Sequence, residues 1–239
     1  MKILIGCPAP SRQRCATATT TKCSMNTDNL SARRRQTRST LVEAGVSVFA
    51  VKGIDGASIE EICEAAGFTR GAFYSNFSSR DDLVLATIEQ RTSHDLDMLD
   101  ATIERWRDRL NRSGPENIED FLTEFIDDTF SQKKVTAAEV IAEHEIELYC
   151  LRTPDLYPRY AELNSFQGQR IQSLIENAIG FAEAASTIPL KDLIEALTAV
   201  HSQASLRAAA GKKLDEIVEI DSTQMVRILS RLLDFSQKP

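Results

Sequence analysis

Beyond residue 30, apolar residues recur at intervals of three and four along the chain, and no stretch alternates strictly between apolar and polar positions. This pattern is typical of amphipathic helices and predicts an all-α fold. The helices divide unequally, into a small N-terminal domain of three helices over residues 31–80 and a larger helical domain over residues 81–239.

The first of two short helices within the small domain is predicted to begin after Ser58. The Ser58 hydroxyl can accept a hydrogen bond from the first turn, and Glu61 three residues later completes a capping box. Gly67 follows the last apolar residue of this helix, and glycine reaches the left-handed conformation of a helix end without steric cost. The pattern therefore predicts a short helix that ends in a tight turn.

A second short helix follows, with Thr69 as its predicted N-cap. Phe73 and Phe77 lie four residues apart and are expected to point inward. The outward face carries cationic, aromatic, hydroxyl and amide groups from Arg70, Tyr74, Ser75 and Asn76. Gly71 and Ala72 add little bulk beside them. A helix of this kind can enter the major groove of DNA, although a bare helix-glycine-helix pattern also fits an ordinary helical hairpin.

The sequence around these two helices favours the DNA reader. Several arginines precede the first predicted helix of the small domain, and another helix opens after Ser79. Over about residues 33 to 92 the chain resembles the TetR family of transcriptional regulators. The resemblance is carried by Phe49, Gly53, Gly56, Ser58, Ile62, Gly67, Arg70, Gly71, Tyr74, Phe77 and Arg80.

The resemblance implies which residues contact a double-stranded DNA operator. It assigns Arg70, Gly71, Tyr74 and Ser75 to the groove, with Arg70 as the main base reader through its two-pronged donor geometry to guanine. It places the remaining contacts near phosphates, at Ser58, Thr69, Ala72, Asn76 and Arg80. Two alternatives stay open, namely that Arg80 is a solvated cap residue and that Tyr74 is a half-buried core residue.

The larger domain is predicted to begin with one long helix over about residues 79–111, which connects the two domains. Further helices are predicted to start after Asn117 and at Ala137, the latter ending near Leu151. The Thr153-Pro154 pair marks another predicted start, whose first turn is ambiguous because Pro158 follows.

The last two helices carry more apolar positions than one intramolecular face needs. In TetR-like proteins the corresponding helices form a four-helix bundle with a second copy, which implies a homodimer on a palindromic site. The expected interface residues are Leu193, Leu197, His201, Ala204, Met225, Ile228, Leu229 and Leu232. The alternative is that both helices only close the core of the monomer.

The resemblance also implies a pocket between the middle helices for a small-molecule effector, whose binding lowers DNA affinity. The candidate lining residues suit an apolar or aromatic molecule and are Trp106, Phe121, Phe125, His144, Tyr149 and Phe166. Plain core packing is the alternative for each. The predicted function is therefore a ligand-responsive repressor, and the alternative is a helical small-molecule-binding or adaptor protein that does not read DNA.

Charge is distributed unevenly along the chain. Residues 31–80 carry seven Lys/Arg against five Asp/Glu, whereas residues 81–239 carry seventeen against twenty-nine. Positive charge near the predicted reader favours phosphate contacts, and counterion release makes such binding weaken as salt rises.

Patterns of common catalytic and cofactor sites are incomplete in this sequence. His144 begins a pattern like that of zinc proteases, but Leu148 stands where the second histidine is required. The chain has three histidines in all, which leaves little for a metal cluster. We therefore predict no enzymatic activity, no metal site and no cofactor.

The first 30 residues have a Thr/Ala/Ser-rich composition without an apolar period, and we expect a disordered tail there. The alternative is a basic arm that reaches an adjacent groove or phosphates of DNA. An early apolar run is too short for a signal peptide and is broken at Pro8. Met25 is a candidate for the natural start of the protein. The five cysteines are an odd number and suit a reducing compartment, so we expect a cytoplasmic protein that does not enter a membrane.

Overall fold

The computed structural model describes residues 21–112, 118–131 and 134–235. Within these ranges the chain forms nine helices and one short two-stranded sheet, in agreement with the predicted all-α class. The elements are α1 (Thr21–Gly56), α2 (Ile59–Ala66), α3 (Arg70–Tyr74), α4 (Arg80–Arg112), α5 (Ile118–Ser131), α6 (Ala137–Arg152), α7 (Tyr157–Phe181), β1 (Ala185–Ser186), α8 (Leu190–Ala209), α9 (Thr223–Leu232) and β2 (Leu233–Asp234).

The two strands depart from the purely helical prediction. They pair antiparallel, with Ala185 opposite Asp234 and Ser186 opposite Leu233. Strands of two residues are too short to produce a readable alternation in the sequence, since a strand pattern needs at least about four residues. They tie the segment after α7 to the end of α9.

Helix α1 begins at Thr21, inside the segment predicted to be a disordered tail. Adding a residue to an existing helix forms one more local hydrogen bond, so a helix can extend without an apolar period in the sequence. Residues 1–20 of the predicted tail lie outside the described residues. Near its other end α1 is kinked at Gly53, where φ is 66° and ψ is 171°.

One apolar cluster holds α1, α2 and α3 together, and we call these three helices the head. Phe49 of α1 and Phe73 of α3 are fully buried in this cluster. The cluster does not stop at the predicted boundary near residue 80, because α6 packs against α1. The residues that α6 contributes to it are Ala142, Ile146, Tyr149 and Cys150. The apolar core is therefore continuous across the predicted boundary, and the division into two domains stays a prediction.

Two further apolar clusters organise the rest of the molecule. One joins α5, α8 and α9 through buried residues that include Leu122, Leu193 and Met225. The other joins the start of α6 to the end of α8 through Val140 and Ala209. The long helix α4 runs beside α1, α5 and α7 and so links the head to the remaining helices.

The predicted long helix of residues 79–111 and the predicted helix from Ala137 are confirmed by α4 and α6. The predicted cap at Asn117 lies outside the described residues. The predicted helix start at Thr153-Pro154 is wrong, because α7 begins at Tyr157 with Pro158 in its first turn. Thr153 instead ends α6, donating from its hydroxyl to the Tyr149 carbonyl at 2.7 Å.

None of the helices in the described ranges combines the length and the apolar character needed to cross a bilayer.

Candidate nucleic-acid interface

Helix α2 starts at the predicted capping box. The Ser58 hydroxyl accepts from the Glu61 amide at 3.2 Å, and the Glu61 carboxylate accepts from the Ser58 amide at 3.1 Å. Glu61 also accepts from the Ser58 hydroxyl at 2.9 Å and forms an ion pair with Lys52. The bond from Lys52 and those from Ser58 lower the pKa of Glu61 to about 2. The Ser58 hydroxyl is therefore engaged by the cap, at a position predicted to lie near a DNA phosphate.

The turn between α2 and α3 has the predicted geometry. Gly67 adopts φ 68° and ψ 29°, and the Phe68 amide donates to the Cys63 carbonyl at 2.9 Å. The Thr69 hydroxyl then accepts from the Ala72 amide at 3.2 Å and caps α3. The orientation of α3 relative to α2 is thus fixed by a left-handed glycine and two side-chain caps.

Helix α3 buries one side and exposes the other. Phe73 is completely buried and contacts Phe77, with ring centroids 5.6 Å apart. Tyr74 is 50% exposed, and the edge of its ring meets Phe73 at 5.5 Å. Tyr74 is therefore half-buried against Phe73, which fits the alternative of a half-buried residue, and its exposed half is available to a partner. The other predicted contacts that are exposed are Thr69, Arg70, Gly71 and Ser75.

Arg70, the predicted base reader, is the first residue of α3 and is engaged by two neighbours. Its guanidinium lies 2.5 Å from Glu60 of α2, measured from Nη1 to Oε1. Hydrogen bonding with Tyr74, together with the charge of Glu60, raises the pKa of Arg70 above its ordinary value. The guanidinium thus stays exposed while it is held between the two helices.

The end of α3 is closed by its own side chains. The Ser75 hydroxyl and the Asn76 amide nitrogen both donate to the Ala72 carbonyl at 2.8 Å. Ala72 and Asn76 are partly buried. Asn76 was expected near a phosphate, and in this arrangement its amide nitrogen faces the protein instead.

Two arginines of α1, which the sequence did not single out as part of the site, hold the chain just after α3. Arg34 Nη2 donates to the Ser75 carbonyl at 3.1 Å, and Arg38 Nη1 donates to the Asn76 carbonyl at 3.1 Å. Their separation of four residues places both on one side of α1. The four-residue spacing within the arginine-rich run could have indicated that the two side chains act together. Their acceptors are backbone carbonyls, which every residue has, so the sequence could not identify them.

The Arg80 side chain makes its contacts with other parts of the protein and is only partly exposed. Its Nη1 donates to the carbonyls of Asp55 at 3.2 Å and Ala57 at 3.1 Å, and its Nη2 lies 3.6 Å from the Asp55 carboxylate. The guanidinium also lies 5.8 Å from the ring centroid of Tyr149. Arg80 therefore joins the end of α1, the start of α4 and α6, which fits neither a free phosphate contact nor a solvated cap.

The six predicted ligand residues lie in four different surroundings. Trp106, Phe121 and Phe125 form one aromatic cluster, with Trp106 centroids 5.3 and 5.8 Å from those of the two phenylalanines. His144 contacts Ser202 of α8 at 2.9 Å. Tyr149 donates to Asp81 at 2.8 Å beside the head, and Phe166 is 63% exposed on α7. The amphipathic pattern identified apolar faces, but it did not tell which faces meet.

Four of the eight predicted interface residues are buried within the single chain, three of them in the apolar cluster that joins α5, α8 and α9. These four are Leu193, Ala204, Met225 and Leu229. They cannot supply exposed surface to a partner in this conformation, so the alternative of a monomer core holds for them. The other four are partly exposed, namely Leu197, His201, Ile228 and Leu232.

Comparison with known proteins places similarity in the N-terminal part of the chain. Residues 41–87 match the sequence model described as bacterial regulatory proteins, tetR family. An uncharacterized HTH-type transcriptional regulator of Bacillus subtilis, YwcC, is 36% identical over 67 residues, which cover 28% of this chain and 30% of that protein. A second such protein of Bacillus subtilis, YvdT, is 36% identical over 90 residues, covering 38% and 42%. The matches therefore span less than half the length of these relatives.

The similarity of fold extends further. The crystal structure of the transcriptional regulator FadR from Bacillus subtilis in complex with stearoyl-CoA superposes with a TM-score of 0.57, covering 80% of this chain and 95% of that one at 14% identity. At that identity the likeness concerns the fold alone. The capped helix-turn-helix lies within residues 41–87, the region that is similar to the tetR family of bacterial regulatory proteins.

Proposed function

We propose that this protein is a sequence-specific, DNA-binding transcriptional regulator in which α3 enters the major groove. The observation that carries the proposal is the exposed face of α3, where Arg70 and Tyr74 stand on a helix anchored by the buried Phe73. Arg70 is at the N-terminal end, which is the part of a recognition helix that reaches base edges. Its fork of donors matches the two acceptors of guanine in the major groove.

The regulator acts as a homodimer on a palindromic operator. Support comes from the apolar side chains of α8 and α9 that the chain's own core leaves partly exposed, including Leu197, Ile228 and Leu232. A two-fold interface built from them would present two copies of α3 to successive major grooves.

The regulator is a repressor that a small, largely apolar or aromatic effector releases from DNA. The fold resembles that of FadR, which was solved in complex with stearoyl-CoA. In this chain the aromatic cluster of Trp106, Phe121 and Phe125 lies on α4 and α5, and α4 begins beside the head at Arg80. An effector that binds one orientation of α4 better than another would shift the population of DNA-binding dimers.

The test starts with selection of binding sequences from a pool of random duplexes, followed by titration of the selected operator at several salt concentrations. We expect binding that weakens as salt rises. Arg70→Ala should cost about 1–3 kcal/mol of binding free energy on the operator and relax selectivity at one base pair. Arg207→Ala, an exposed arginine in the last turn of α8, is the matched control. Absence of any selected sequence would overturn the proposal and favour a helical binding protein that does not read DNA.

A further inference from the structure

Glu60 of α2 and Arg70 of α3 form an ion pair across the turn of the helix-turn-helix. Each residue lies in the first turn of its helix, and the helices are fixed relative to each other by the Gly67 turn and the caps at Ser58 and Thr69. The carboxylate is therefore held by the fold at one side of the guanidinium.

The ion pair is exposed to solvent, with 59% of the Arg70 side chain and 55% of the Glu60 side chain accessible. Exposed ion pairs contribute little to protein stability, because water screens the charges and two long side chains lose freedom. The pair therefore contributes little to the stability of the fold. It lies on the face of the head that the proposed function turns towards DNA.

A guanidinium carries five donors in a rigid plane, so one carboxylate leaves others free. Holding one edge of the plane restricts the directions in which the remaining donors point. Restriction of this kind favours a target that offers two acceptors in a fixed arrangement, as guanine does in the major groove. A freely rotating arginine would gain nearly as much from any phosphate that it can reach.

From this arrangement we infer that Glu60 is a positioning residue that sets base discrimination by orienting Arg70. The inference rests on the proposed function and adds a determinant of specificity to it. Glu60 has two effects of opposite kind on binding. Its negative charge weakens the attraction of the head to the phosphates of every DNA sequence. Its ion pair with Arg70 weakens binding to DNA sequences without guanine at the contacted position. Glu60 therefore increases selectivity while it reduces the overall affinity for DNA.

The test compares Glu60→Ala with Glu64→Ala. Both residues are exposed on α2, and both substitutions remove one negative charge from the same helix. Dissociation constants are measured for the selected operator and for operators in which each G·C pair is replaced in turn. We expect Glu60→Ala to bind replaced operators more tightly and to reduce the operator preference about tenfold at one base pair. Glu64→Ala should leave that preference unchanged.

A double variant separates positioning from direct action. If Glu60 acts through Arg70, Glu60→Ala should not lower the preference further in a chain that already carries Arg70→Ala. An additional loss in the double variant would overturn the inference. So would a Glu60→Ala chain that keeps the preference of the unaltered chain. Circular dichroism checks folding, and Glu60→Gln, which keeps the side chain's size, replaces Glu60→Ala if the latter does not fold.

The outcomes distinguish this inference from the proposed function. A chain that selects no sequence at all overturns both. A chain that selects an operator, but whose preference is insensitive to Glu60, overturns only the role of Glu60.

Discussion

The guanidinium of Arg38 lies 4.4 Å from the ring centroid of Phe77, while its Nη1 donates to the carbonyl of Asn76. One side chain of α1 thus covers the buried aromatic residue that follows α3 and also satisfies a carbonyl beside it. Since α3 has only five residues, its position depends on contacts of this kind more than on its own hydrogen bonds.

Arg38→Ala should therefore weaken both the fold and DNA binding. Loss of the hydrogen bond and of the contact with Phe77 should lower the free energy of unfolding by about 1–2 kcal/mol. Urea denaturation measures the change, and titration with the operator measures binding. Arg33→Ala, from the same arginine run, is the control. Equal stability of the two variants would contradict a structural role for Arg38.

Neighbouring residues of α3 should separate stability from binding. Phe73 is fully buried, and Phe73→Ala should cost about 3–5 kcal/mol of unfolding free energy through the cavity it leaves. Tyr74→Ala, at a half-exposed position, should cost far less stability and still weaken operator binding. Thermal unfolding and DNA titration of both variants provide the comparison. A Tyr74→Ala chain that binds the operator normally would remove Tyr74 from the interface.

The Glu61 carboxylate predicts a loss of stability in acid. Its pKa is lowered from 4.5 to about 2 by Lys52 and Ser58, so the folded state binds its proton less readily than the unfolded state. The contribution is complete above about pH 4.5 and is lost as the pH falls towards 2. The measurement is the unfolding free energy between pH 6 and pH 2, at intervals of about half a unit.

Glu61→Gln should flatten this pH profile relative to the unaltered chain. Glu64→Gln makes the same chemical change on the exposed side of α2 and serves as the control. If the Glu61→Gln chain loses stability across the window as steeply as the unaltered chain, other groups govern the acid sensitivity.

Two glycines of the helix-turn-helix should respond oppositely to alanine. Gly67 has φ 68°, and although nothing lies within 4 Å of an added Cβ, the backbone conformation itself would cost about 1–2 kcal/mol. Gly71 lies within α3 without a positive φ, so alanine should stabilise that helix by up to about 1 kcal/mol. An added methyl group at Gly71 should nevertheless weaken DNA binding by holding the backbone off the groove. Differential scanning calorimetry and operator titration test both; stabilisation by Gly67→Ala would contradict the strain argument.

Local sequence signals predicted the parts of the site whose partners are close along the chain. The caps at Ser58 and Thr69, the turn at Gly67 and the buried pair of Phe73 and Phe77 all form within five residues. Their physical causes are hydrogen-bonding geometry, the conformational freedom of glycine and helical periodicity. Each of these is a property of residue type and spacing.

The remaining contacts depend on how helices meet. Arg38 and Arg80 bond to backbone carbonyls 38 and 23 residues away, and a carbonyl belongs to every residue alike. Helix packing also explains the outcome for the two groups of residues that were predicted from apolar faces. The predicted ligand residues lie in four separate surroundings, and half of the predicted interface residues are buried. Periodicity tells which face of a helix avoids water, and the packing partner of that face is decided by the whole fold.

The shared core of the head and α6 bears on how such regulators can be recombined. Tyr149 and Ile146 belong to the same cluster as Phe49 and Phe73, and Arg80 bridges the two parts. A chimera cut at residue 80 would pair the reading helices with a foreign α6 and leave apolar surface without its counterpart. The unit that can be transplanted is the head together with the inner face of α6. A chimera that exchanges DNA specificity must therefore keep this packing surface intact, and a single cut in the chain does not do so.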